Sequence, residues 1–291
     1  MTSSVTVWAT SGGDTPQKLV TEACDRIWQG VSKAVLFSGG VALSTTRFLQ
    51  KQGSDVDWSE DLEEQVDARG TIIDYLTHDE IMNGLVTPPL FYGLMENAKR
   101  LAAGIDADRW AEQMGALFAP FAAVASENPL AAQHDKAFTA ADLTTVAPGN
   151  RYVASPYPQR LVARDQVNQS AALVVISTGL ADELGISPSA RVYLHGQAVA
   201  GEPPVTLRAE LGQAPSAGLA LNRALDRAAC VADDIAYFDF YSCFPIAVSN
   251  AIEAIDLSGD DPRGLTITGG LPYFGGPSNS YSMHALAEMI V

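Results

Sequence analysis

Cysteine is scarce, with Cys24, Cys230 and Cys243 the only three among 291 residues. An odd number at wide spacing builds neither a disulfide framework nor a cysteine-rich zinc site, so a reducing compartment, the cytoplasm, is the expected setting. Histidine is almost as rare: His78, His134 and His195 are scattered without cysteine or carboxylate at ligand spacing, and no metal or other cofactor is expected. No apolar run approaches the ~20 residues that cross a bilayer, which excludes a helical membrane span. Met1 to Thr10 lacks the basic start and long apolar stretch of a secretory leader. Positive charge is also short, 18 Lys and Arg against 34 Asp and Glu, and the net charge of −16 disfavours nucleic acid and anionic membrane as partners. What is abundant is apolar side chain, 47% against 18% charged, enough to fill the core of one large domain or two intimate halves.

Val5 to Thr10 alternates with period two and reads as a strand. Ser11-Gly12-Gly13-Asp14-Thr15-Pro16 then supplies permissive glycines, a capping Asp or Thr and a first-turn proline, predicting a helix to about Gly30 that buries Leu19, Val20, Ala23 and Ile27. Ala34 to Gly40 is a short apolar run closed by glycines, as in a strand buried on both faces of a parallel sheet, and completes a βαβ pattern. From Ser54 to about Asn150 helical stretches, including Phe91 to Ala103 and Ala107 to Phe121, alternate with polar breaks, predicting a helical insertion. Further strands are expected at Gln169 to Ser177, Arg191 to Ala198, Ile235 to Phe240 and Leu265 to Gly270, with helices at Gly179 to Leu184, Leu219 to Ala229 and Pro245 to Ala254. The four tryptophans, Trp8, Trp28, Trp58 and Trp110, are expected to pack in the interior.

Three loops carry a resemblance. Gly12 to Gln17 leading into a helix resembles the nucleophile-bearing turn of the thiolase superfamily, in particular its sterol-carrier-type, thiolase-like branch. Asp239-Phe240-Tyr241-Ser242-Cys243-Phe244-Pro245 stands in the place of the family's Asn-Glu-Ala-Phe or His-Asp-Cys-Phe loop, and Gly269 to Pro277 in the place of its Gly-Gly…Gly-His-Pro loop. Asn128-Pro129, Asn150-Arg151 and Pro156-Tyr157 extend the likeness through the middle of the chain. The resemblance implies an α/β, αβαβα-layered thiolase-like fold with a helical insertion, divided into 1–53 and 151–204 as parts of an N-terminal half, 54–150 as the insertion and 205–291 as a C-terminal half. It further implies an acyl-CoA thioester as ligand, acyl transfer in lipid metabolism as the reaction, and either a homodimer or a partner enzyme. Relative to the family the chain looks truncated at both ends.

Thiolase chemistry needs a thiolate at a helix N-terminus, where the dipole and free N–H groups favour the charged form. The turn here has no cysteine, and Cys24 lies about three helical turns further on, too far to substitute. The histidine of the Gly-His-Pro loop is replaced by Gly276, and the second loop offers Tyr241 and Ser242, a tyrosine being a poor base given its ordinary pKa of about 10. Cys243 is then the best remaining thiol and His284 the best remaining base, with Tyr241 and Ser242 beside them, provided the loops share one pocket floor. The plain alternative makes Cys243 a small buried hydrophobe and His284 a cap or surface residue. Gly13, Asp14, Thr15, Gly270, Gly275 and Gly276 are the candidate substrate-binding positions: their backbone N–H groups either approach a thioester carbonyl or serve only tight turns. The two function classes that follow are an acyl-CoA C-acyltransferase homologue stripped of its standard machinery, and a non-catalytic CoA-binding or assembly subunit.

Overall fold

The structure is a computed structural model and describes residues 6–9, 12–59, 66–69 and 75–290. Val5, Thr10 and Ser11 of the sequence reading, and the Trp8 side chain, lie outside the described residues.

Strand β1 (Thr6–Ala9) leads through the Gly12–Asp14 turn into helix α1 (Thr15–Trp28), with Pro16 in its first turn, where the missing N–H costs nothing. Asp14 precedes the helix but makes no side-chain cap; its carboxylate pairs with Lys18 at 2.6 Å instead. Leu19, Val20 and Ala23 form the apolar stripe and pack on strands β2 (Ala34–Ala42) and β6 (Asn168–Ile176), together with Phe37 and Met283.

The sheet departs from the expectation of a buried parallel core. β2 runs antiparallel to β6, and β1 pairs in parallel with β3 (Val66–Arg69), not with β2. One face of the β2–β6 ladder covers α1 and the other stands open, so the side chains alternate between half-buried and exposed. Helix α2 (Leu43–Lys51) follows β2 directly.

The middle of the chain is largely helical: α3 (His78–Met82), α4 (Pro88–Ala102), α5 (Ala107–Glu127) and α6 (Ala140–Thr144), then the short pair β4 (Tyr152–Ala154) and β5 (Tyr157–Pro158). α5 is the central rod. Phe118, Phe121, Ala122 and Ala125 are at most 1% exposed and anchor the main core. Helices α7 (Thr178–Glu183), α8 (Pro215–Ala228), α9 (Pro245–Glu253) and α10 (Tyr281–Glu288) complete the described elements.

Arg191 to Ala198, Ile235 to Phe240 and Leu265 to Gly270, expected as strands, belong to no ladder; Phe240 N–H donating to the Leu265 carbonyl at 3.1 Å is the one backbone bond between the last two segments. An alternating pattern becomes a strand only where a neighbour supplies the other half of the hydrogen bonds. Trp110 is buried as expected, but Trp28 and Trp58 are 91% and 60% exposed.

Glu96 ties the helical middle to the C-terminal loops. Its carboxylate is buried and accepts from Trp110 Nε1 at 2.8 Å, the Tyr157 hydroxyl at 2.7 Å and the Ile246 N–H at 2.9 Å, the last being a free donor in the first turn of α9.

Candidate functional site

The three loops meet. A Cβ on Gly13 would overlap the ring and hydroxyl of Tyr241, so the glycine is where the second loop lies flat against the first. Ser282 Oγ on α10 donates to the Gly13 carbonyl at 3.0 Å, bringing the segment beyond the third loop to the same turn. Ser242, fully buried, accepts the Leu271 N–H at 3.1 Å and packs on Gly270, whose φ of +78° only glycine adopts without strain. The strand-like segment 163–164 is clamped between them: Ala163 N–H donates to the Cys243 carbonyl and Arg164 N–H to the Leu271 carbonyl, both at 3.1 Å.

Asp239 organises the junction. Its Oδ2 accepts from Thr266 Oγ1 (3.0 Å), Ile267 N–H (3.1 Å), Thr268 N–H (3.0 Å) and Thr268 Oγ1 (2.9 Å), while Oδ1 accepts from the Tyr281 hydroxyl at 2.8 Å. Burial pushes the carboxyl above its usual range, and the donors pull the other way. Between this network and the Gly13 turn lies a cavity of about 100 Å³, lined on its polar side by Gln17, Asp239, Tyr241, Tyr281 and Ser282. Its volume is that of a few water molecules.

The candidate residues are thus unevenly gathered. Gly13, Tyr241, Ser242 and Gly270 stand at the junction, and Asp14 is near enough to Tyr241 to raise its hydroxyl's pKa, after burial and the Cys243 thiol. Thr15 is buried at the start of α1. Gly276 N–H is taken by the Arg164 carbonyl at 2.7 Å and Gly270 N–H by Thr268 Oγ1 at 3.2 Å, so neither is a free oxyanion donor; Gly275 packs on the Gln169 side chain. Cys243 is 7% exposed, and burial lifts its thiol to about 12 against the opposing hydrogen bond from Tyr92. Among the described residues no hydrogen bond or electrostatic coupling joins Cys243 to His284. The histidine lies edge-on to Phe274 with Nε2 unpartnered. No group of described residues is arranged to hold a metal ion.

Two outcomes follow from these surroundings. Iodoacetamide at pH 8 is expected to leave Cys243 unmodified in the folded protein, because neither access nor thiolate is available; mass spectrometry after unfolding should show it labelled, and rapid labelling of the native thiol would contradict this picture. Burial lowers the pKa of His284, so the folded state prefers the neutral ring while the unfolded chain takes a proton near the ordinary value of about 6.5. The stability this provides is present above that value and is lost as pH falls through the lowered one. Between pH 7 and 5 the melting temperature of His284→Phe should therefore fall less than that of the parent by scanning calorimetry; an equal or steeper fall counts against it.

Tyr281 and Ser282 were not among the sequence candidates, and Asp239 and Gln17 were read only as parts of the second and first loops. A lone carboxylate inside Ile235-Ala-Tyr-Phe-Asp-Phe-Tyr241 was the available signal, since an acid in such an apolar run must be satisfied internally.

This is an α/β thiolase-like fold whose three family loops converge without the family's cysteine and histidine. No protein-family model matches the chain, and no curated protein matches it in sequence. Among solved structures it is similar to a monomeric SCP2-thiolase-like protein type 1 from Mycobacterium smegmatis, at 35% identity and a TM-score of 0.83, over 98% of this chain and 61% of that one. The fold is shared with the Ltp2-ChsH2(DUF35) aldolase (15% identity, TM-score 0.70, 97% of this chain and 77% of that one) and with human mitochondrial 3-ketoacyl-CoA thiolase (15%, 0.60, 96% and 69%). The chain belongs to the thiolase-like superfamily and spans about three-fifths of the length of its SCP2-thiolase-like relative.

Proposed function

We propose that the chain binds the acyl end of a CoA thioester in the cavity beside Gly13 and does not perform acyl transfer through a covalent cysteine. The observation that carries this reading is the packing of Tyr241 on Gly13, at the turn where the family places its nucleophile, with Asp239, Tyr281 and Ser282 closing a cavity sized for a short acyl group. Without a thiolate at the helix start, the thioester meets hydroxyl donors and one carboxyl group rather than a nucleophile. The setting is acyl-CoA metabolism in the cytoplasm. A second reading, an assembly subunit acting with another enzyme, draws support from the aldolase neighbour, whose name pairs Ltp2 with ChsH2(DUF35).

Calorimetry with acetyl-CoA and acetoacetyl-CoA, run beside an assay for free thiol, tests the proposal. Saturable binding without thiol release is expected, and binding should weaken at least tenfold in Gly13→Val, which fills the space taken by Tyr241. Steady thiol release would overturn the non-covalent reading; absence of binding would remove the ligand.

A further inference from the structure

Helix α10 is one wall of the cavity beside Gly13. Tyr281, Ser282, Ala285, Leu286 and Met289, which share a helix face by their spacing, supply most of the lining. The side-chain ties of this wall sit in its first turn. The Tyr281 hydroxyl meets Asp239 Oδ1 and Thr268 Oγ1, both at 2.8 Å, and Ser282 Oγ donates to the Gly13 carbonyl at 3.0 Å. From Met283 to Ile290, among the described residues, no side chain makes a hydrogen bond or an ion pair. The far end stands in solvent, Met289 being 43% and Ile290 49% exposed.

The chain enters α10 through a corner that differs from the helix it feeds. Gly275 has φ +134° and Ser278 φ +51°, the latter a region that a residue with a side chain occupies at a cost. Ser280 precedes the helix without a side-chain cap. Short helices held by packing rather than by caps lie at the low-stability end of a structure and open before the core does.

His284 is the one polar group on the packed side of this wall. It takes no part in the cavity lining and lies edge-on to Phe274 of the third loop, ring centroids 5.4 Å apart, only 7% exposed and with Nε2 buried and unpartnered. α10 packs on β6, on α1 and on residues 278–280. β6 and 278–280 carry no titratable side chain; α1 carries Lys18, Glu22, Cys24, Asp25 and Arg26, the third loop Tyr273, and α10 itself Tyr281 and Glu288. None of these bonds to the imidazole, and burial alone lowers its pKa. An imidazolium has two N–H donors to satisfy, and beside Phe274 the one on Nε2 finds no acceptor.

We propose that α10 is a proton-operated gate: protonation of His284 releases the helix from Phe274, about the corner at 275–278, and opens the cavity while the core around α5 stays folded. Asp239 is the other titratable group on the latch, through Tyr281, and is distinguished from His284 by the variants below. The inference uses the walls of the cavity and not its ligand, so it stands or falls apart from thioester binding.

Hydrogen exchange by mass spectrometry at pH 7 and pH 5, each corrected for the intrinsic exchange rate, tests it on the whole chain. The amides from Ala285 to Met289 close the turns of α10. Their opening should rise about tenfold at pH 5, with a ceiling of ~30-fold set by the distance from the ordinary histidine pKa of about 6.5. Those of α5 should not change. His284→Phe and His284→Gln, one apolar and one neutral and polar, should each abolish the rise. Equal protection of α10 at the two pH values would show that the imidazole turns to water in place and would overturn the gate. A matching rise in α5 would make the event global unfolding, and a rise that persists in both variants would assign it to Asp239; either result also overturns the proposal.

Discussion

Replacing Glu96 with alanine is expected to cost the fold at least about 2 kcal/mol, since each buried donor left without its acceptor costs about 1–3 kcal/mol and two are orphaned together, the Tyr157 hydroxyl keeping the Tyr92 carbonyl at 3.1 Å. The two are Trp110 Nε1 and the Ile246 N–H, contributed by α5 and α9, and the Tyr157 hydroxyl of β5 is the third donor to the carboxylate. Burial raises the carboxyl's pKa, so the group is itself held at some expense of solvation, and its removal relieves part of that. The relief is smaller than the loss because the partners remain buried. With total stabilities of about 5–15 kcal/mol, the variant should sit near the edge of folding, its urea midpoint lowered by about 1 M or more. Glu96→Gln keeps one acceptor oxygen and should lose less. Pairing Glu96→Ala with Tyr157→Phe should cost less than the sum of the two single changes, because each single change already removes the Tyr157–Glu96 bond. A Glu96→Ala loss below about 1 kcal/mol in urea unfolding would refute this account.

Asp239→Ala should be comparably severe and more local. The carboxylate gathers donors from Thr266, Ile267, Thr268 and Tyr281, so it holds the approach to the third loop and the start of α10 against the second loop. Tyr281 and Thr268 can still bond to each other at 2.8 Å, but the Ile267 and Thr268 N–H groups lose their acceptor. A stability loss of about 2–4 kcal/mol follows from two orphaned backbone donors, and hydrogen exchange at Ile267 and Thr268 should rise first. If the cavity binds a thioester, affinity should fall at least tenfold. Asp239→Asn preserves shape and one oxygen, but its amide must face either Tyr281 or the 266–268 backbone; an intermediate loss is expected. Unchanged exchange at both amides in Asp239→Ala would show that the network is not what holds the junction.

The helices and the loop order were legible in the sequence because they depend on local signals. α1 begins at the Thr15-Pro16 pair and buries the stripe read from Leu19, Val20 and Ala23; α9 begins at Pro245, and α8 at Pro215, four residues before the expected start. The convergence of Gly13, Tyr241 and Gly270 was legible only through family resemblance, since nothing local in three distant glycine corners brings them together. Pairing was harder. The apolar run Ala34 to Gly40 indicates a strand but not that β6, more than a hundred residues later, lies antiparallel to it. The run 191–198 has equally good strand character and no neighbour among the described residues, so propensity and outcome part there. Asp239 was quoted with the second loop but given no role of its own for a related reason: a carboxylate's worth depends on donors 27 to 42 residues away that no spacing rule indicates.

Helix α5 underlies more than the core. Gly269 lies against the Ala125 backbone and Gly270 against the Phe121 ring, so the glycine corner takes its shape from a rod in the middle of the polypeptide. Side-chain bulk gained at either face of that contact has nowhere to go. Changes in the glycine corner and in the central helix are therefore expected to proceed in step.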